Sequence, residues 1–125
     1  MNVIGQATAV LAALIHVVIF AMESVLFPRP AVHGRFFVKA QDVEAVRPWA
    51  FNQGFYNLFL ALGCLVGVIL LHAGPDEAGR ALIAMACGSM LAAALVLIGT
   101  DRRMIRGAAL QGTLPLLTLI LLIVG

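Results

Sequence analysis

Charge is what this sequence has least of. Asp, Glu, Lys and Arg together make up 11% of its 125 residues and hydrophobic residues 62%, whereas a soluble domain carries about 25% charged and roughly 45–50% apolar residues. So few charges cannot cover a surface facing water, which excludes an ordinary soluble domain and points to an integral membrane protein. The formal net charge of +2 is carried by loops between apolar runs and gives no basis for a nucleic-acid partner.

Cysteine is scarce as well. Cys64 and Cys87 both fall inside apolar runs, where a thiol is commonly a small apolar filler, so neither a disulfide nor a metal role is expected. The three histidines, His16, His33 and His72, fall at different depths and cannot converge on one tetrahedral metal site without large distortion. No metal and no cofactor is therefore expected. Nucleophile-elbow, phosphate-loop and dinucleotide-binding glycine patterns are also missing, which leaves acyl-transfer and nucleotide chemistry without a foundation.

What the sequence does have is apolar length. A span needs about 20 mostly apolar residues, and four segments qualify, near 3–27, 52–72, 79–99 and 107–124. The first lacks a basic leader and exceeds the h-region of a signal peptide, so it reads as a permanent helix. The expected fold is all-α, a single membrane domain over 1–125 built as an integral membrane four-helix bundle.

Between the first two spans Pro28 and Pro30 stop the helix. The stretch 35–47 places Phe36, Phe37, Ala40, Val43 and Val46 near one face, with Arg35, Lys39, Asp42 and Glu44 on the other. That pattern predicts a short amphipathic helix at the membrane interface, with Trp49 at matching depth; a solvated loop helix is the alternative. Seven of the eight basic residues lie in the connections 28–51 and 100–106, and only Arg80 lies opposite. By the positive-inside rule this basic side is cytoplasmic and both termini face out.

Polar residues inside the spans gather toward that same side. They are Glu23 near the end of the first span, Asn52, Gln53, Tyr56 and Asn57 at the start of the second, and Gln111 at the start of the fourth. His16 lies about 10 Å deeper than Glu23 at 1.5 Å per residue. His16, Phe20, Glu23 and Phe27 form one helical stripe, as do Gln53, Asn57, Leu60 and Cys64. On the fourth span Gly107, Gln111 and Pro115 recur every four residues, and Pro115 leaves the Gln111 carbonyl without its usual donor. The expected result is a cytoplasm-facing intramembrane pocket.

An ionisable side chain in a span is costly and marks function by default. For Glu23 the alternative is simple reach to the interface or pairing with Arg29 or Arg102; for His16 it is one satisfied backbone carbonyl. Ala84, Gly88 and Ala92 form a small-xxx-small ridge on the third span, read as close packing within the bundle or as a seam between copies of the chain.

The His16–Phe20–Glu23 stripe, the block Asn52-Gln53-Gly54 with Tyr56 and Asn57, and Gln111 before Pro115 together resemble a family of small bacterial membrane proteins known as domain of unknown function 1304. The resemblance covers essentially the whole chain and implies a four-helix protein of the bacterial inner membrane.

Three functions are consistent with these residues. One is binding or transport of a small amphipathic or lipophilic molecule, cations included, with Glu23 as counter-charge and the amides as orienting contacts. Another is a proton-shifting isomerase on a lipid-like substrate, with His16 and Glu23 as candidate acid and base. The third is a structural subunit of a larger membrane complex. Binding or transport is the favoured reading, with membrane lipids and the amphipathic ligand as partners.

Overall fold

A computed structural model describes residues 1–125. Four helices are long and apolar enough to cross a membrane, and the protein is a multi-pass membrane protein. Helix α1 spans Val3–Phe20 and continues as a π-helical turn over Ala21–Val25; a single short helical turn, α2, covers Pro30–His33. The remaining spans are α3 (Val43–Ala73), α4 (Asp76–Thr100) and α5 (Ile105–Val124). They pack up-down-up-down as a ring, α1 on α3, α3 on α4, α4 on α5 and α5 on α1, with little contact across the diagonal. One end of the bundle holds the connections rich in Arg and Lys, here the basic end; the other holds both termini and the α3–α4 turn, here the terminal end.

The core is made of small side chains. Ala9, Ala12 and Ala13 of α1 meet Ala61 and Cys64 of α3 and Ala86 and Cys87 of α4, with Ile83 and Met90 as the larger fillers. Lipid tails are as apolar as the core, so close van der Waals packing between small residues does the work that water exclusion does in soluble bundles. Large apolar residues such as Ile123, Val3 and Met85 project outward instead, the arrangement expected where acyl chains are the solvent.

The closest helix approach differs from the expected one. A Cβ on Gly79 would sit 2.6 Å from the Gly67 carbonyl oxygen, and one on Gly67 2.9 Å from the Gly79 carbonyl oxygen. The tight α3–α4 seam is therefore the Gly67–Gly79 pair near the terminal end. On the Ala84–Gly88–Ala92 ridge, a Cβ on Gly88 meets nothing within 4 Å and Ala92 is exposed. Ala84 still packs against the core, but Gly88 and Ala92 are turned away from the tight seam by the rotation of α4 about its axis.

The connection at the basic end also differs from a single amphipathic helix over 35–47. After α2, one 3₁₀ turn covers Gly34–Phe36 and another Ala40–Asp42, and residues from Val43 onward already belong to α3. Phe37 breaks the run with φ 58°, ψ 30°, a left-handed conformation rare for a bulky side chain. Pro48 sits in the second turn of α3. There it removes only the bond to the Glu44 carbonyl, at an exposed helix end where water can replace it. His33 fixes the connection from within: it is buried, its Nδ1–H donates to the Val38 carbonyl at 2.7 Å, and its ring lies 6.4 Å from that of Phe27.

Candidate functional site

The first helix widens where it reaches the basic end. In the π-helical turn the Leu26 N–H bonds back to Ala21 O, five residues away, at 2.8 Å, and π-turns of this kind recur at functional sites. Two side chains of that turn reach α3. Ser24 Oγ donates to the Phe51 carbonyl at 2.7 Å. The Glu23 carboxylate accepts from Asn57 Nδ2 at 2.5 Å, and the same amide lies 3.3 Å from the Gln53 carbonyl. Gly54 makes the approach feasible, since a Cβ there would overlap Ser24 Oγ and lie 3.0 Å from the Phe20 carbonyl. Beside this seam Phe20 packs edge-on to Phe55 at 5.0 Å, and Phe51, Phe55 and Phe59 form a ladder along α3.

Glu23 is half-buried and has no cation. The single ion pair in the protein joins Asp101 and Arg103 at 2.9 Å, so neither Arg29 nor Arg102 neutralises Glu23. Its only hydrogen-bond partner is a neutral amide.

The other polar residues singled out from the sequence divide into two groups. His16 and Asn57 are buried, on the faces that α1 and α3 turn inward, and Gln111 is half-buried on α5, one turn before buried Pro115. Asn52, Gln53 and Tyr56 are exposed on the outer side of α3. Glu23 and Asn57 are thus brought into direct contact, while the helix-two amides and phenol at 52, 53 and 56 face the surroundings. His16 Nδ1 lies 2.8 Å from the Ala12 carbonyl. A carbonyl can only accept, so Nδ1 carries the proton and Nε2 keeps its lone pair. His16 and Glu23 share no hydrogen bond, and seven residues of helix separate them.

Several contacts had weak sequence signals or none. Gly54 inside a helical pattern is a recognisable mark of close backbone approach. The two thiols meet in the bundle centre, Cys64 Sγ lying 3.9 Å from Cys87 Sγ and 3.4 Å from the Ala9 carbonyl. Nearby, the Thr118 and Thr8 hydroxyls are 2.9 Å apart, joining α5 to α1. At the basic end the Arg103 guanidinium stacks 4.7 Å from the Phe37 ring centroid and grips Asp101 through Nε at 3.1 Å and Nη2 at 2.9 Å. Those hydrogen bonds hold the Asp101 carboxyl below the usual carboxylate range.

Two recesses are lined by residues other than Glu23. An apolar groove of about 210 Å³ runs between α4 and α5. An open recess of about 420 Å³ is bounded by Glu44, Arg47, Pro48 and Phe51 at the start of α3.

The family model described as Protein of unknown function (DUF1304) matches residues 10–123. The chain belongs to that family. The match runs from the first helix to the last and includes every residue of the Glu23–Asn57 seam. No curated protein and no solved structure matches the chain.

Proposed function

We propose that the protein binds, and by exchange transports, a small amphipathic cation that uses Glu23 as its counter-charge. The observation that carries this reading is a carboxylate inside a membrane helix whose sole partner is the neutral Asn57 amide. Charge at membrane depth costs several kcal/mol unless it is compensated, and one hydrogen bond to a neutral donor returns about 1.5–3 kcal/mol. The rest must come from a proton or a cation, and the two compete for the same oxygens. Asn57 fixes the carboxylate, Gln111 lies on the neighbouring inward stripe as a further polar contact, and Phe20 and Phe55 supply an aromatic wall beside the seam. The exposed Asn52, Gln53 and Tyr56 suit the approach of the ligand from the headgroup layer. His16, with its free Nε2, marks the inner limit of the site.

The positive-inside rule orients the basic end to the cytoplasm, so the site opens to the cytoplasmic leaflet of a bacterial inner membrane, with both termini outside. The isomerase alternative requires His16 and Glu23 to act on one substrate across about 10 Å of helix axis, and no contact links them.

Equilibrium binding of tetraphenylphosphonium to protein in nanodiscs tests the proposal. Wild type should bind, acidification should weaken binding as the proton takes Glu23, and Glu23→Gln should weaken it at least about tenfold while thermal stability is kept. Equal binding by Glu23→Gln would end it.

A further inference from the structure

The groove between α4 and α5 differs in chemistry from the Glu23–Asn57 seam. Its floor is formed by buried Ala94, Ala108 and Gly112, which bring the two helices so close that a Cβ on Gly112 would lie 2.9 Å from that of Ala94. Its rims are exposed Leu95, Ile105 and Leu116. On α4 the lining runs from Leu91 to Ile98 and on α5 from Ile105 to Leu116, which at 1.5 Å per residue is about 10 and 16 Å. That is one leaflet of a hydrocarbon core about 30 Å thick. The groove volume of about 210 Å³ exceeds that of the engineered apolar cavity of about 150 Å³ that holds a benzene molecule.

The mouth of the groove is charged. The connection between α4 and α5 carries Asp101, Arg102 and Arg103, with Arg106 in the first turn of α5. Asp101 is fully engaged by Arg103, so that pair cancels. Arg102 and Arg106 are exposed and meet no carboxylate. Two uncompensated guanidiniums thus stand where an apolar slot one leaflet deep reaches the headgroup layer.

We propose that this is a binding site for one anionic glycerophospholipid, with an acyl chain lying in the groove and its phosphate held by Arg102 and Arg106. A zwitterionic headgroup would bring its own ammonium against the two arginines. A second copy of the chain would set its own Arg102 and Arg106 against the same pair if joined about a two-fold axis here, with like charges opposed. The anionic lipid satisfies both the slot and the charge.

The test is native mass spectrometry of the whole protein released from nanodiscs of equal phosphatidylglycerol and phosphatidylcholine. Wild type should retain one phosphatidylglycerol, enriched about thirtyfold over phosphatidylcholine, the effect of two basic side chains near a membrane surface. The double variant Arg102→Gln, Arg106→Gln should bring that ratio near one. Filling the groove from its exposed side with Ala109→Phe, or independently Leu95→Trp, should lower retention of both lipids, and thermal unfolding without lipid identifies any variant that fails to fold. Millimolar inorganic phosphate should leave the bound lipid in place. Equal retention of the two lipids by wild type, unchanged preference in the double variant, or undiminished retention in both groove-filling variants would overturn the proposal. Displacement by phosphate, or a lipid-free dimer in place of a lipid-bound chain, would overturn it too.

Discussion

The two ends of this bundle are built on opposite plans. At the terminal end, several polar side chains bridge between helices or cap them. Asn2 caps α1 through Gly5 N at 2.7 Å; His72 Nε2–H donates to Gln6 Oε1 at 2.5 Å; Arg80 Nη2 donates to the Leu122 carbonyl at 2.6 Å, a cation set against the negative end of α5. Gly67 and Gly79 bring the α3 and α4 backbones into contact there. At the basic end a π-turn replaces the α-helix, Glu23 has an amide where it needs a charge, and most of the basic residues have no acidic partner. One end is clasped by interhelical bonds and a backbone contact, and the other holds a carboxylate and basic residues without charged partners, which is why both proposed sites lie at the second.

The largest test of that contrast is steric. Gly79→Val places a side chain against the Gly67 carbonyl and should destabilise the protein by about 3 kcal/mol, the upper range for overpacking, whereas Gly88→Val meets open space and should change stability by less than about 0.5 kcal/mol. Thermal unfolding in detergent measures both, and equal losses would break the distinction between the two faces of α4. Next in size, Glu23→Gln should abolish most cation binding yet leave unfolding within about 1 kcal/mol of wild type, since Asn57 can still bond to the new amide oxygen. A large loss of stability in that variant would make Glu23 internal glue and return the two ends to the same plan.

Thr118→Val probes the closed part of the bundle. It removes the hydroxyl shared between Thr8 and the Leu114 carbonyl and should cost about 0.6 kcal/mol, the average for a hydrogen bond between membrane helices. The smallest effect belongs to the exposed Asp101–Arg103–Phe37 stack. Because Arg103 holds the folded-state pKa of Asp101 below its unfolded value, the pair contributes above the unfolded pKa and is lost as pH falls through the folded one. The difference in melting temperature between wild type and Asp101→Asn should therefore be small at neutral pH and shrink on acidification below the ordinary aspartate range. A difference that grows with acid would refute that pairing.

Spans, their number and the polar end were legible because apolar length and Arg/Lys placement are one-dimensional signals. Two helical stripes put Glu23 and Asn57 at one depth, but that they bond directly is visible only in the packed helices. Rotation of a helix about its own axis was less legible: Asn52, Gln53 and Tyr56 share the depth of Asn57, yet lie on faces turned outward, and only packing against α1 decides that. The start of the second span was less legible too: residues 43–51 continue α3 instead of belonging to a separate interfacial helix, and Pro48 is tolerated there because it lies in the exposed second turn. The Ala84–Gly88–Ala92 ridge has the spacing of a close-packed seam, but Gly67 and Gly79 lie on different helices and their pairing requires the register between them. The Cys64–Cys87 contact is likewise a product of that register, and the Thr8–Thr118 contact of the register between α1 and α5.

The Gly67–Gly79 clasp has a mechanical consequence. Backbones already in contact leave no lane between α3 and α4 near the terminal end, so those two helices are held there as one piece. Sliding α3 past α4 would require those two glycines to part.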